Sequence, residues 1–245
     1  MPAGRRVLIT GGGTGVGADL ARGFAGAGAE VVIAGRRLAP LEAVAAGLPD
    51  VHCVQADVSS EDSVAAMYAA AGPVDIVIAN AGAAESAPLG RTSIAVWERM
   101  LSVNLTGAFL TLREGAGQMR GWGRLIVVAS TAGLKGYGYV SAYTAAKHGA
   151  VGLVRSIAQE VARKDITANA LCPGFLDTEM TERSIANIIE KTGKDRDGAL
   201  RALTATNPQG RLVAPAEVTA AALWLCGPGS DAVNGQAIAI AGGEV

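Results

Sequence analysis

Short runs rich in β-branched residues alternate with longer alanine-rich stretches along the whole sequence. The runs predict seven strands, at residues 7–10, 31–34, 52–55, 76–79, 125–129, 167–171 and 236–240. The stretches between them predict helices at about 15–25, 38–47, 61–71, 94–119, 141–163 and 215–226. Strands that alternate with helices pair in parallel and are covered on both sides. The sequence therefore predicts an α/β fold, with a doubly wound, seven-stranded parallel sheet and helices on both faces.

The length and continuity of the sequence predict a single domain. Its 245 residues suit one large α/β domain or two small ones. No Pro- or Ser-rich linker, repeat or low-complexity tract divides the sequence, so we expect one domain over residues 1–245. Residues 175–213 interrupt the strand and helix pattern with a polar segment of mixed charge. A long insertion beside a rigid scaffold favours a substrate lid, and a surface excursion is the alternative.

Composition and charge narrow the class of protein. Half of the residues are hydrophobic, 18% are charged and the formal net charge is -1. This balance suits a protein with a large core and argues against a basic nucleic-acid binder. No apolar run approaches the roughly 20 residues that a membrane span needs. We therefore expect a soluble cytoplasmic protein that binds neither nucleic acid nor membrane, and small anionic ligands remain compatible with the sequence.

The cysteines and histidines favour neither a disulfide framework nor a metal site. Cys53, Cys172 and Cys226 are widely spaced and odd in number, which is typical of free thiols in a reducing compartment. His52 and His148 have no third ligand at a metal-like spacing, so we expect no bound metal.

A glycine-rich turn, residues 10–17, joins the first predicted strand to the first predicted helix. Glycine lets the backbone turn sharply and approach a pyrophosphate, whose charge would face the positive end of the helix dipole. The setting predicts a dinucleotide site, and a tight turn without a ligand is the alternative. The spacing of Gly11, Gly15 and Gly17 resembles the TGxxxGxG fingerprint of the short-chain dehydrogenase/reductase family. The resemblance implies a Rossmann-type domain and an NAD(P)(H)-dependent oxidoreductase similar to the 3-oxoacyl reductases.

The end of the second predicted strand bears on the choice of cofactor. Gly35 occupies the position where NAD-preferring members of the family carry an acid, and Arg36 and Arg37 follow it. An acid would repel a ribose 2′-phosphate, whereas a guanidinium can bind one through paired hydrogen bonds. We expect NADP(H) to be preferred, with NAD(H) as the other cofactor. Two solvated arginines at a helix start are the alternative interpretation.

Tyr143 and Lys147 lie four residues apart in a predicted helix, which places both side chains on one face. A tyrosine hydroxyl has an ordinary pKa of about 10, so it exchanges protons near neutral pH only when a positive charge stabilises its phenolate. Lys147 is expected to supply that charge. Ser130 follows the fifth predicted strand, and Asn104 lies on the helix before it.

These four residues resemble the catalytic Asn, Ser, Tyr and Lys tetrad of the family in identity, order and spacing. The resemblance implies that Tyr143 is the general acid/base and that Lys147 also binds the nicotinamide ribose. It implies that Ser130 orients the carbonyl oxygen of the substrate and that Asn104 holds a water of a proton relay.

The family pattern implies further cofactor contacts along the chain. Together with Tyr143 and Lys147, the cofactor-binding residues expected are Gly11, Thr14, Gly15, Val16, Arg36, Arg37, Asp57, Val58, Asn80, Ala81, Gly82, Pro173, Gly174, Leu176 and Thr178.

The substrate is expected to be a ketone or a secondary alcohol that contacts Ser130, Tyr137 and Tyr143. A 3-oxoacyl thioester carried by acyl carrier protein or coenzyme A is the substrate class expected first. The alternatives are a small cyclic, aromatic or polyketide-like ketone and, outside catalysis, a nucleotide-sensing regulator. The family resemblance also implies a homotetramer.

Overall fold

In the computed structural model, which describes residues 2–245, the strands form one parallel sheet. Residue 1 of the expected domain lies outside the described residues. The strands are β1 (Arg6–Thr10), β2 (Glu30–Gly35), β3 (Val51–Gln55), β4 (Ile76–Ala79), β5 (Gly123–Val128), β6 (Ile166–Pro173) and β7 (Ala237–Ile240). Their order in the sheet is β3-β2-β1-β4-β5-β6-β7, and every neighbouring pair is parallel. This confirms the predicted fold class, and the strand ends agree with the sequence to within two residues.

One or more helices follow each of the strands β1 to β6 along the chain. They are α1 (Gly15–Gly26), α2 (Leu38–Ala45), α3 (Glu61–Ala71), α4 (Ile94–Leu101), α5 (Gly107–Gln118), α6 (Ser141–Val161), α7 (Glu179–Thr192), α8 (Arg196–Thr204) and α9 (Pro215–Leu225). Helices α1, α2 and α9 cover one face of the sheet, and α3, α5 and α6 cover the other.

The core divides into two layers because successive side chains of a strand point to opposite faces. On β1, Val7 and Ile9 pack in the layer that contains Phe24 of α1, whereas Leu8 packs in the layer that contains Leu112 of α5. All five side chains are fully buried. Full burial of one such side chain contributes about 1.5–3 kcal/mol, so both faces of the strand stabilise the sheet.

The sequence predicts one helix over residues 94–119, and the structure corrects this. A π-helical turn, Ser102–Thr106, separates α4 from α5, and the N–H of Gly107 donates to the carbonyl of Ser102. A π turn holds one residue more than an α turn and often occurs at a functional site. The apolar periodicity is the same on both sides of the turn, so it could not reveal the extra residue.

The polar segment 175–213 contains two helices that the sequence analysis did not predict. Gly193, with φ of 69°, ends α7, and Asp195 caps α8 by accepting the N–H of Gly198 at 2.8 Å. Ile185 of α7 is buried, whereas most charged residues of the segment are exposed. Arg196 pairs with Glu182 at 2.7 Å, so part of the mixed charge is satisfied within the segment.

The three cysteines are free thiols. Burial raises the pKa of Cys172 to about 11 and that of Cys226 to about 12, so neither is a reactive thiolate at neutral pH.

Within residues 2–245, no group of three or more His, Cys, Asp or Glu side chains is arranged to hold a metal ion. In the same part of the chain, none of the helices combines the length and the apolar character needed to cross a membrane.

Candidate active site

The glycine loop takes the conformation that its sequence requires. Gly11 and Gly15 have φ angles of 68° and 53°, in the left-handed region where a side chain is strained. At Gly17 a Cβ atom would lie 2.1 Å from the carbonyl oxygen of Gly11. The first turn of α1 can therefore lie directly against the end of β1 only because residue 17 has no side chain.

The start of α1 leaves its backbone donors available to an anion. Thr14 is the N-cap residue, but its side chain accepts no capping hydrogen bond, and the first turn of the helix contains no acid. Free N–H groups and the helix dipole favour a negative charge at this point. Val16 is buried beneath the turn. The loop therefore fits the pyrophosphate of a dinucleotide.

Asn80 braces the glycine loop from the neighbouring strand. Its side-chain amide donates to the carbonyl oxygens of Thr10 at 2.9 Å and Gly11 at 3.2 Å. In return, the N–H groups of Asn80 and Ala81 both donate to the Thr10 hydroxyl at 3.1 Å. These bonds join the ends of β1 and β4, which are adjacent in the sheet. They fix the loop at the carboxyl edge of the sheet, where ligands of such folds bind.

Arg37 lines a cavity of about 450 Å³ beside the glycine loop. Gly13 and Thr14 form one wall of the cavity, Arg22 extends into it from α1, and Glu179 borders it from α7. Arg22 was not among the sequence-predicted residues. Its position seven residues after Gly15, on the same face of α1, was the signal that could have found it.

Arg36 is exposed, and its carbonyl oxygen accepts a hydrogen bond from the Gln55 side chain at 2.9 Å. It lies near Asp57, whose side chain accepts hydrogen bonds from the backbone N–H of Ser59 at 2.9 Å and from its hydroxyl at 2.6 Å. These bonds lower the pKa of Asp57, and the charge of Arg36 lowers it further. Val58 is buried against α5. Four of the residues expected to bind the cofactor, Arg36, Arg37, Asp57 and Val58, therefore lie at the ends of β2 and β3.

The side chains of Ser130, after β5, and Tyr143, on α6, face each other in the site. Ser130 follows β5, and its hydroxyl accepts the N–H of Ala132 at 3.1 Å, which caps a short turn, Thr131–Gly133. Burial raises the pKa of Tyr143, and the interaction with the Ser130 hydroxyl acts in the opposite direction. The net shift is upward, the reverse of the lowering that the helix spacing predicts, because burial, together with the neighbouring Cys172, outweighs the interaction with Ser130.

Lys147 is buried on the same face of α6. Its ammonium nitrogen lies 5.6 Å from the centre of the Tyr143 ring and donates to the carbonyl oxygen of Val128 at 2.9 Å. Burial lowers the pKa of Lys147 to about 8. The group therefore still carries its proton in most molecules at neutral pH and provides a positive charge next to Tyr143.

The π turn directs Asn104 into the site. Its side-chain amide donates to the carbonyl oxygens of Ala83 at 2.9 Å and Met100 at 3.0 Å, and its own oxygen accepts the N–H of Ala83 at 3.2 Å. A Cβ on Gly82 would lie 2.9 Å from the Asn104 oxygen and 3.7 Å from the Lys147 nitrogen. The side chains of Asn104 and Lys147 therefore both lie next to Gly82.

The segment after β6 closes the site from the opposite side. Pro173 ends β6, Leu176 forms an isolated bridge with Val213, and the Thr178 methyl group would lie 3.3 Å from a Cβ on Gly15. Thr178 therefore reaches the glycine loop. Gly174 packs against the segment that follows β7.

The Tyr137 hydroxyl is engaged within the protein rather than free. It lies 2.7 Å from the Thr131 hydroxyl and donates to the Glu244 carboxylate at 2.6 Å. Its ring meets the Phe175 ring edge-on, with centroids 6.5 Å apart and an interplanar angle of 78°. Tyr137 can therefore offer a substrate its ring. No sequence motif predicts its bond to Glu244.

The chain is similar to known proteins over nearly its full length. The family model described as short chain dehydrogenase matches residues 5–188. The 3-oxoacyl-[acyl-carrier-protein] reductase MabA of Mycobacterium tuberculosis is 33% identical over an alignment of 245 positions, which covers 98% of this chain and 92% of MabA.

Solved structures agree with this assignment. Levodione reductase is 34% identical, with a TM-score of 0.93 over 99% of this chain and 98% of that chain. A variant of actinorhodin polyketide ketoreductase, in a structure with NADPH, is 32% identical, with a TM-score of 0.90 over 98% of this chain and 97% of that chain. These similarities confirm the family that the glycine spacing indicated, and the chain belongs to the short-chain dehydrogenase/reductase family of oxidoreductases.

Proposed function

We propose that this chain interconverts a ketone and a secondary alcohol with NADP(H) as the hydride carrier. The observation that carries the proposal is the convergence of Ser130, Tyr143 and Lys147 at the carboxyl edge of the sheet, beside the glycine loop. When bound, the nicotinamide supplies the hydride, and the protein supplies binding, orientation and the proton.

In this proposal, Tyr143 delivers a proton to the carbonyl oxygen during reduction and removes it during oxidation. Ser130 donates to the same oxygen and stabilises its developing negative charge. The buried ammonium of Lys147 stabilises the Tyr143 phenolate that remains, which is needed because burial alone disfavours that charge. Lys147 also donates to the nicotinamide ribose, and Asn104 orders a water that returns protons to Lys147.

Two features support dinucleotide binding and the preference for NADP(H). The free donors at the start of α1 suit a pyrophosphate. Arg37 and Arg22 line one cavity beside this loop, so their guanidinium groups suit a 2′-phosphate. We assign the remaining sequence-predicted residues, including Asp57, Asn80 and Thr178, to the same cofactor. NAD(H) is the alternative cofactor that we propose for the same site.

We propose a 3-oxoacyl thioester on acyl carrier protein or coenzyme A as the first substrate class, supported by the similarity to MabA. A cyclic or polyketide-like ketone is the second class. The perpendicular rings of Tyr137 and Phe175 favour it because a flat ketone can stack on an aromatic wall. The similarity to levodione reductase points the same way.

One absorbance assay, run with two cofactors and two classes of ketone, tests both the activity and the substrate class. The purified protein is mixed with NADPH or NADH and either a 3-oxoacyl-CoA or a cyclic diketone, and loss of the reduced cofactor is followed by absorbance. The proposal expects oxidation of NADPH with at least one ketone class. Tight NADPH binding without oxidation by any ketone would instead support a nucleotide-sensing regulator.

We also propose a lid, an assembly and a location. Residues 175–213, with α7 and α8, are proposed to close over the substrate.

A homotetramer is supported by exposed apolar side chains on and before α4, where Leu89 is 78% and Ile94 is 69% exposed. Light scattering tests the assembly, and a stable monomer would exclude it. The free thiols favour the cytoplasm, which fractionation of cells that produce the protein would test.

A further inference from the structure

Glu244, in the segment after β7, carries a carboxylate that is almost entirely buried. Its side chain is 1% exposed. Burial of an ionised carboxylate is costly unless hydrogen bonds and an opposite charge compensate. The buried carboxylate of Glu244 therefore needs hydrogen-bond donors and a positive charge nearby. The structure supplies them from several segments.

The partners of Glu244 come from the loop that follows Ser130 and from Thr206, in the segment that follows α8. The Tyr137 hydroxyl donates to the carboxylate at 2.6 Å, and the Lys135 ammonium lies 3.2 Å from the same oxygen. The Lys135 ammonium also donates to the main-chain carbonyl of Glu244 at 3.2 Å. Burial acts to raise the pKa of Glu244, but hydrogen bonds from Thr206, Tyr137 and Lys135 outweigh it and lower that pKa. The carboxylate is therefore charged at neutral pH.

The Tyr137 hydroxyl also connects Glu244 with Thr131. A phenol has a single proton, and that proton goes to the carboxylate, so the Thr131 hydroxyl donates to the Tyr137 oxygen at 2.7 Å. Thr131 directly follows Ser130 and is buried. The other carboxylate oxygen of Glu244 would lie 3.2 Å from a Cβ on Gly174, immediately before Phe175. Glu244 therefore contacts both segments that carry the aromatic wall.

We propose that Glu244 is a positioning residue for the substrate, which holds the rings of Tyr137 and Phe175 as a rigid wall beside Ser130. The proposal rests on the proposed ketone chemistry. Glu244 does not touch the substrate, and it acts through Tyr137. Loss of the carboxylate frees the loop 131–139, so the wall is no longer preorganised and binding of the ketone becomes weaker.

The experiment compares Glu244→Gln, Tyr137→Phe and the double variant with the wild-type protein. Glu160→Gln is the matched control because Glu160 is exposed near the end of α6. Steady-state kinetics measure KM for the ketone, KM for NADPH and kcat. Hydrogen exchange measures the protection of residues 131–139, 204–208 and 11–17, and it needs no activity.

We expect KM for the ketone to rise about 10-fold or more in each single variant, with kcat and KM for NADPH nearly unchanged. The double variant should be no worse than Glu244→Gln because both changes break one linkage. Exchange should accelerate at 131–139 and 204–208 but not at 11–17, and Glu160→Gln should match the wild type in every measurement.

The two proposals fail in distinguishable ways. If the wild type reduces no ketone, the proposed function fails, and the exchange data alone decide whether Glu244 holds the loop. Unchanged exchange at 131–139 in both single variants would overturn the role of Glu244. A parallel rise of both KM values with a lower Tm would also overturn it, because such a result indicates a general structural role. If Glu244→Gln does not fold, the KM and hydrogen-exchange measurements on Tyr137→Phe still test the role of Glu244, because that variant breaks the same hydrogen bond.

Discussion

The ammonium nitrogen of Lys147 lies 5.6 Å from the centre of the Tyr143 ring, and both residues belong to one face of α6. The same nitrogen donates to the carbonyl oxygen of Val128 at the end of β5, two residues before Ser130. One junction between β5 and α6 therefore positions Ser130, Tyr143 and Lys147, which are three of the four residues that we assign to the reaction. Burial at this junction acts on both ionisable groups, raising the pKa of Tyr143 and lowering that of Lys147.

Replacement of Tyr143 by Phe tests the proton donor. The ring is retained and the transferable proton is lost, so kcat should fall by at least about 100-fold. Absorbance of NADPH measures the turnover, and fluorescence of bound NADPH together with thermal unfolding shows whether the fold and cofactor site persist. Near-normal turnover in a folded variant would contradict the assignment of Tyr143 as general acid/base.

Replacement of Lys147 by Met should change how stability depends on pH. Burial lowers the pKa of Lys147 to about 8 from its ordinary 10.5, so the cost of burying the ammonium is fully present below pH 8. This cost declines as the pH rises towards 10.5, because the folded protein then holds neutral lysine while the unfolded chain binds the proton.

The free energy of unfolding of Lys147→Met, relative to the wild type, should therefore decline by up to about 3 kcal/mol between about pH 7 and pH 10. Urea unfolding across this range measures the difference. Parallel stability curves for the two proteins would show that Lys147 is not desolvated.

Replacement of Gly17 by Ala should destabilise the protein, because the new Cβ would lie 2.1 Å from the carbonyl oxygen of Gly11. Overpacking against rigid backbone costs about 1–3 kcal/mol or more. Gly26→Ala in the same helix is the matched control, since a Cβ there meets nothing within 4 Å. The control should keep or raise stability by up to about 1 kcal/mol. Urea unfolding distinguishes the two, and equal midpoints would refute the close approach.

Replacement of Arg37 by Ala tests the choice of cofactor. Loss of a charged hydrogen bond to the 2′-phosphate should raise KM for NADPH by about 10- to 100-fold. KM for NADH should barely change because that cofactor lacks the phosphate. Arg163→Ala serves as the control, since Arg163 is exposed after α6. Equal effects of Arg37→Ala on both cofactors would mean that the cavity does not bind the phosphate.

The sheet and the shared helix face of Tyr143 and Lys147 could be predicted because their sequence signals are local. The run Val7 to Ile9 is buried on both faces of the sheet, so its uninterrupted apolar character reports its place at the centre of the sheet. The spacing of Tyr143 and Lys147 reports one helix face directly. The family spacing of the glycines then indicated the turn at Gly11 to Gly17, in which the backbone leaves no room for a side chain at residue 17.

The remaining features depend on contacts between distant segments. The helices α7 and α8 lie in a polar stretch in which exposed charges obscure the buried Ile185. The bond between Tyr137 and Glu244 joins residues 107 positions apart, and neither residue belongs to a motif. The pKa of Tyr143 was expected to fall because the spacing shows the nearby ammonium but not the burial of the phenol.

The π turn between α4 and α5 limits how the length of this chain can vary. Deletion of one residue from Ser102–Thr106 would rotate α5 by about 100° about its axis relative to α4. Gly107 would then leave its contact with Val58, and Asn104 would lose its angular alignment with Ala83. The exposed residues between α7 and α8 carry no such phase requirement, so an insertion between Gly193 and Asp195, which keeps both caps, should be tolerated there, whereas an insertion or deletion at the π turn should not.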